Sequence, residues 1–148
     1  MSLNYFEENL LVDLEKKICS SELHILASSE SYCTNLEKYY PIKHNQIDWE
    51  KLKIFEKSYE ENLTKQLEIE SFIKFFRLMS EKYHLNGEIV WVGDSATDFA
   101  ISGSVEVMMS CLNRILEIPQ HHYFIGSNYT WCLCFTFEGE MFFGVKPD

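Results

Sequence analysis

Tyr129-Thr130-Trp131-Cys132-Leu133-Cys134-Phe135-Thr136-Phe137 is the stretch that decides the fold. Side chains of a strand alternate between two faces, so Trp131, Leu133, Phe135 and Phe137 share one side. Cys132, Cys134 and Thr136 share the other. Both sides are apolar enough to be covered, which marks a central strand with protein above and below it. His121 to Ile125 and Met141 to Val145 read as its neighbours, joined through turns at Gly126-Ser127-Asn128 and Glu138-Gly139-Glu140.

Working outward, Ile89-Val90-Trp91-Val92 is a β-rich run closed by Gly93-Asp94, and Thr97 to Ile101 reads as its hairpin partner. Between these strands, Val105 to Ile118 places Val105, Met108, Met109, Leu112 and Leu116 on one helical face. Ser104 can cap that helix and Pro119 follows it. The chain before residue 87 reads mainly helical. Phe6, Leu10, Leu11, Leu14 and Ile18 recur at helical spacing, and Asp48 is a candidate N-cap for a helix presenting Leu52, Phe55 and Tyr59. A further helix runs from about Ser71 to His84 with Phe72, Phe75, Phe76 and Met79 on its face. Ser20 to Ser31 fits a loop, a short strand or a helix start. The expected architecture is one α+β domain over residues 1–148: a helical portion, 1–86, packed on a mainly antiparallel sheet formed by 87–148, with the Val105–Ile118 helix covering one face.

Charge narrows the functional classes. The net charge is −10, and the 62 residues from Gly87 to Asp148 hold only two basic side chains, Arg114 and Lys146, against eight acids. Such a surface repels nucleic acid and attracts basic partners. No apolar run reaches the roughly 18 residues of a membrane helix. Met1 to Lys17 contains Glu7, Glu8, Asp13 and Glu15, unlike a secretory signal. The five cysteines are an odd number without framework spacing. They read as reduced thiols, and the expected location is the cytoplasm.

Two stretches carry candidate chemistry. Ile89 to Asp98 resembles the metal-binding motif of haloacid dehalogenase-type phosphatases, in which Asp94 and Asp98 would hold Mg²⁺ against a phosphate. That family's Asp-x-Asp nucleophile has no counterpart among Asp13, Asp48, Asp94, Asp98 and Asp148. Gly93-Asp94-Ser95 also resembles the nucleophile block of SGNH-type esterases, without that family's late Asp-x-x-His. Without those partners the segment reads as a strand-to-strand turn, Gly93 supplying an unusual backbone angle and Asp94 an Asx-type hydrogen bond. His121, His122, Cys132 and Cys134 form the second candidate, a Cys₂His metal site. The competing reading is two buried thiols packing as small hydrophobes, with both histidines partly exposed.

The segment from His121-His122-Tyr123 through Trp131-Cys132-Leu133-Cys134-Phe135-Thr136-Phe137-Glu138-Gly139-Glu140-Met141-Phe142-Phe143-Gly144 resembles the C-terminal part of many small bacterial immunity proteins. These accompany polymorphic toxins, including those of contact-dependent inhibition. The resemblance implies a small acidic cytoplasmic protein that binds a cognate toxin domain, commonly a basic nuclease, with no cofactor and no catalysis of its own. Neither nucleic acid nor membrane is an expected partner. The side chains expected to meet the toxin are Asp94, Asp98, Glu138 and Glu140 at loop positions, with Tyr129 as an exposed aromatic anchor. Two alternatives stand beside this: a small metal-dependent hydrolase or phosphatase using Asp94 and Asp98, and a stand-alone regulatory domain that binds another protein.

Overall fold

The computed structural model describes residues 2–148. Helix α1 (Tyr5–Asp13) begins at a reciprocal cap: the Asn4 side chain accepts the Glu7 N–H at 2.9 Å, and Glu7 Oε1 accepts the Asn4 N–H at 3.1 Å. Helix α2 (Glu15–Cys19) continues it past Leu14. Strand β1 (Leu23–Leu26) and helix α3 (Glu30–Tyr39) follow. A small hairpin of β2 (Ile42–Lys43) and β3 (Gln46–Ile47) turns through His44 and Asn45, both left-handed, with φ of 52° and 64°. Strand β4 (Phe55–Ser58) precedes the long helix α4 (Lys65–Tyr83). Thr64 Oγ1 caps that helix, and His84 ends it in a left-handed conformation. Next come β5 (Glu88–Gly93), β6 (Ala100–Ser104), α5 (Val105–Ser110), α6 (Leu112–Ile115), β7 (His122–Ile125), β8 (Trp131–Phe135) and β9 (Met141–Val145).

Seven strands form one antiparallel sheet in the order β1-β6-β5-β7-β8-β9-β4. The α+β expectation holds, and β8 is an internal strand buried along its length. Its two faces meet different layers. Over one lie α1, α4, α5 and α6, which bring Leu10, Phe72, Phe76, Met108 and Leu112 onto Trp91, Phe124, Leu133 and Phe135. Phe72 is at the centre, with its ring 5.0 Å from that of Phe135 and 5.8 Å from that of Phe124. Over the other lie α3, the small hairpin and the segment after it, where Leu36, Tyr40, Ile47, Trp49 and Leu52 cover Val92, Ile125, Cys132 and Cys134.

The division into a helical portion and a sheet portion does not hold. Both edge strands of the sheet, β1 and β4, come from the first 86 residues. The helix expected after Asp48 is instead a single 3-10 turn, Trp49–Lys51, followed by β4. The apolar spacing there was short, and pairing with β9 satisfies the backbone that a helix would otherwise satisfy internally. Trp49 stacks on Phe142 at 5.3 Å, while Gly144 leaves room for Leu52. Glu56 on β4 is clasped by Lys82, at 2.8 Å, and by the Tyr83 hydroxyl, both from α4. The Ser-rich region resolves into β1, paired with β6. The α4 helix starts six residues before Ser71, and the expected Val105–Ile118 helix is broken at Cys111. Among the described residues, no helix is long and apolar enough to cross a membrane.

Removing the ring at the centre of the first layer should be far costlier than trimming the outer side of the same helix. Phe72→Ala is expected to lower unfolding free energy by about 3–5 kcal/mol. Leu78→Ala, at a position 56% exposed, should stay within about 0.5 kcal/mol. Urea denaturation of the two variants beside the parent protein measures both.

Candidate functional site

The registers bring several turns to one end of the sheet. Gly93 of β5 is opposite His122 of β7, His122 is opposite Phe135 of β8, Phe135 is opposite Met141 of β9, and Met141 is opposite Ser58 of β4. Residues 94–99, His121, the 136–140 turn and the start of the 59–64 connection therefore share this end. Asp94, Asp98, Glu138 and Glu140 are all exposed along it, as are Glu60 and Glu61. At about 4.8 Å per strand, the rim from β6 to β4 runs some 24 Å.

The 94–98 loop is braced from beneath. Buried Gln120 accepts the Ser95 and Ala96 N–H groups on Oε1, at 3.2 and 2.7 Å, and donates from Nε2 to Thr97 Oγ1 at 3.1 Å. Glu7, 3% exposed, accepts the Asp98 N–H at 2.8 Å, and the Asn4 amide donates to the Ala96 carbonyl at 2.7 Å. Asp94 Oδ1 accepts the His121 N–H at 3.0 Å and the Ser95 hydroxyl at 3.1 Å. The expected local Asx-type bond is replaced: the Asp94 carboxylate accepts a backbone N–H from the neighbouring strand instead of from its own turn. Nor does Gly93 take a left-handed backbone. It is glycine because a β-carbon would collide with the Gln120 side chain.

The second candidate set is divided by the sheet. His122 is fully buried on the α4 side, where the Trp91 indole N–H donates to its Nδ1 at 3.1 Å. That bond leaves the proton on Nε2, which donates to the Ile118 carbonyl at 2.9 Å. Burial drives its pKa down to about 3, so the ring is neutral. Cys132 and Cys134 point to the opposite face and are buried there, with burial pushing both thiols upward. One Cys₂His centre cannot draw on both faces. Nor are both histidines partly exposed: only His121 is, and its Nδ1 accepts the Phe137 N–H at 2.9 Å. Among the described residues, no three His, Cys, Asp or Glu side chains are grouped to hold a metal ion.

Tyr129 is not a free anchor. Its hydroxyl accepts from the Asn35 amide at 3.0 Å, its carbonyl accepts from the Tyr40 hydroxyl at 2.8 Å, and its ring lies 5.3 Å from that of Tyr39. Two other aromatics are exposed on the acidic rim: Phe137, 55% exposed, and Tyr59, 52% exposed. Sequence alternation assigned Phe137 to the core face. The strand ends at Phe135, and the Thr136–Glu140 turn, closed by Gly139 at φ 91°, carries Phe137 outward. Lys65 Nζ lies 5.7 Å from its ring centroid.

No protein-family model matches the sequence, and comparison with curated proteins finds no match.

The buried histidine makes a pH test of this geometry. With a folded-state pKa near 3 and an unfolded value near 6.5, the unfolded chain binds the extra proton between those limits. Stability therefore falls as pH drops below 6.5. Relative to His122→Gln, which does not titrate, the parent protein should lose about 2 kcal/mol more between pH 7 and pH 4.5. Urea melts of both proteins at the two pH values measure that difference; equal losses would mean His122 is not held neutral.

Proposed function

We propose that this protein acts by binding, without turnover, as an immunity-type protein that neutralises a cognate basic toxin domain. One observation carries the reading: Asp94, Asp98, Glu138 and Glu140 occupy a single rim of the sheet, with Phe137 and Tyr59 exposed among acids. Interfaces of high affinity centre on aromatic anchors, while charge around them speeds and orients encounter. The rim offers both. The resemblance of its C-terminal segment to immunity proteins supplies the class of partner, and the low count of basic residues there is what a basic toxin surface would meet.

The bracing of the 94–98 loop supports the same reading. A loop already fixed by Gln120, Glu7 and Asn4 has little backbone freedom left to lose on association. The rim would engage the toxin as a preformed surface, blocking its active site or the surface on which its own substrate sits.

The test is a pull-down from the native host at low and high salt, with the retained protein identified by mass spectrometry and then produced alone. Recovery of one basic toxin domain whose activity the protein suppresses is the expected outcome. Glu138→Lys with Glu140→Lys should slow association about tenfold or more at low salt, with the gap narrowing as salt rises. Phe137→Ala should instead act on dissociation and weaken affinity by about 1–2 kcal/mol. Stopped-flow and surface-binding kinetics read both, and an association rate indifferent to salt and to the charge reversals would refute the electrostatic part.

A further inference from the structure

Beside the acidic rim, on the sheet face covered by α3, there is a cavity of about 380 Å³ between α3, the β2–β3 hairpin and the ends of β5 and β7. It opens to solvent and falls within the size range of small-ligand clefts, about 300–1,000 Å³. Its walls have two characters. Leu36 and Ile47 are buried, and Ile42 beside them is 39% exposed although it belongs to a strand. Glu37, from the helix, and Asp94, from the braced loop, both bring carboxyl groups to the lining.

Among the described residues, neither of these carboxylates takes part in an ion pair. Lys43 of the hairpin does not line the cavity, whereas His44, Asn45 and Gln46 do. Cys33 is half-buried at its wall, near both charges. Burial raises its thiol pKa, and the Asp94 and Glu37 carboxylates raise it further. A thiol held protonated is a poor nucleophile, which sets the groove apart from a cysteine-based active site. The His121 ring is held at the cavity wall: its Nδ1 accepts the Phe137 N–H and its Nε2 lies 3.4 Å from the Gln46 amide nitrogen.

We propose that this groove receives one arginine or lysine side chain projecting from the protein partner. The aliphatic stem would lie along Leu36, Ile42 and Ile47, and the cationic head would rest between Glu37 and Asp94. An apolar wall beside two carboxylates outside any ion pair is complementary to a long cationic side chain and disfavours an acidic one of the same length. The proposal rests on the partner-binding reading above and gives it a specificity pocket next to the rim.

The test uses the full-length ¹⁵N-labelled protein and two blocked tripeptides, acetyl-Gly-Arg-Gly-amide and its Gln counterpart, titrated by NMR in about 20 mM salt. The expected result is saturable shifts of the Leu36, Glu37, Gln46 and Asp94 amides with the Arg peptide only. Glu37→Gln combined with Asp94→Asn should weaken that binding about tenfold. Asp94→Asn keeps the Oδ1 acceptor that the His121 N–H requires, and Glu37→Gln alone, at an exposed position, serves as a second variant with the loop untouched. No saturable shift at the groove, equal response to the Gln peptide, or binding unaffected by both variants would overturn the proposal. Arg-peptide binding in the groove without any recovered toxin would leave the groove standing and remove the immunity reading. A recovered toxin whose affinity ignores both variants would do the reverse.

Discussion

Everything in this structure depends on β8 being buried on both faces. Cys132 and Cys134 on one side and Leu133 and Phe135 on the other are all essentially inaccessible. A strand in that position needs ladder partners on both edges, which β7 and β9 provide, and a separate layer of cover for each face. Covering a large apolar side chain fully is worth about 1.5–3 kcal/mol. One helix cannot shield both faces, so the chain spends its N-terminal half on the problem from two directions. The long α4 with α1 covers the Leu133–Phe135 side. The shorter α3, the hairpin and Trp49 cover the cysteine side. The same constraint explains why the thiols are inert: they are small apolar fillers in a tight layer, and ionising either would place a charge where water cannot reach it.

Strong, local patterns in the sequence survive into the fold. The alternation through Trp131–Phe135, the strand from Ile89, the Ser104 cap and the Phe72–Met79 stripe all appear where their spacing puts them, while the hairpin partner expected at Thr97 to Ile101 falls at Ala100–Ser104. What was not legible depends on distant partners. Phe55-Glu56-Lys57-Ser58 has no strand signature of its own and becomes a strand because β9 offers an open edge and α4 offers Lys82 and Tyr83 to hold Glu56. Leu23–Leu26 is likewise a strand through its pairing with β6. The rim was partly legible, since its four acids all sit at turns. Its aromatics were not: Phe137 obeys the strand alternation but lies two residues past the strand's end, and Tyr59 obeys a helical spacing in a segment that is not a helix. Glu37 and Cys33 carry no local signal at all and join the site only through the placement of α3.

A polar seam separates the apolar core from the rim. Gln120, Glu7 and His122 are each nearly inaccessible, and each has both ends of its hydrogen-bonding capacity used, by loop amides, by the α1 cap, by Trp91 and by the Ile118 carbonyl. A buried polar group without partners costs about 1–3 kcal/mol, so this seam is tolerated because it is complete. Its consequence is positional. It ties the backbone of residues 95–98 to α1 and to the segment entering β7, so that the acidic loop is fastened to the sheet beneath it.

That attachment bears on what concentrated negative charge does here. Carboxylates gathered on one rim repel one another within a Debye length of about 8 Å at physiological salt, and a flexible loop would relieve the repulsion by moving away. Asp94 cannot, because its oxygen is tied to the His121 amide, and Asp98 cannot move far while its own amide is tied to Glu7. The free protein thus holds two of its rim acids in place, one through the neighbouring strand and one through Glu7. Under the binding reading, a basic partner meets charges already positioned and has little of this loop to order on association. The same acids placed on mobile loops would carry the same net charge and would have to be ordered on binding.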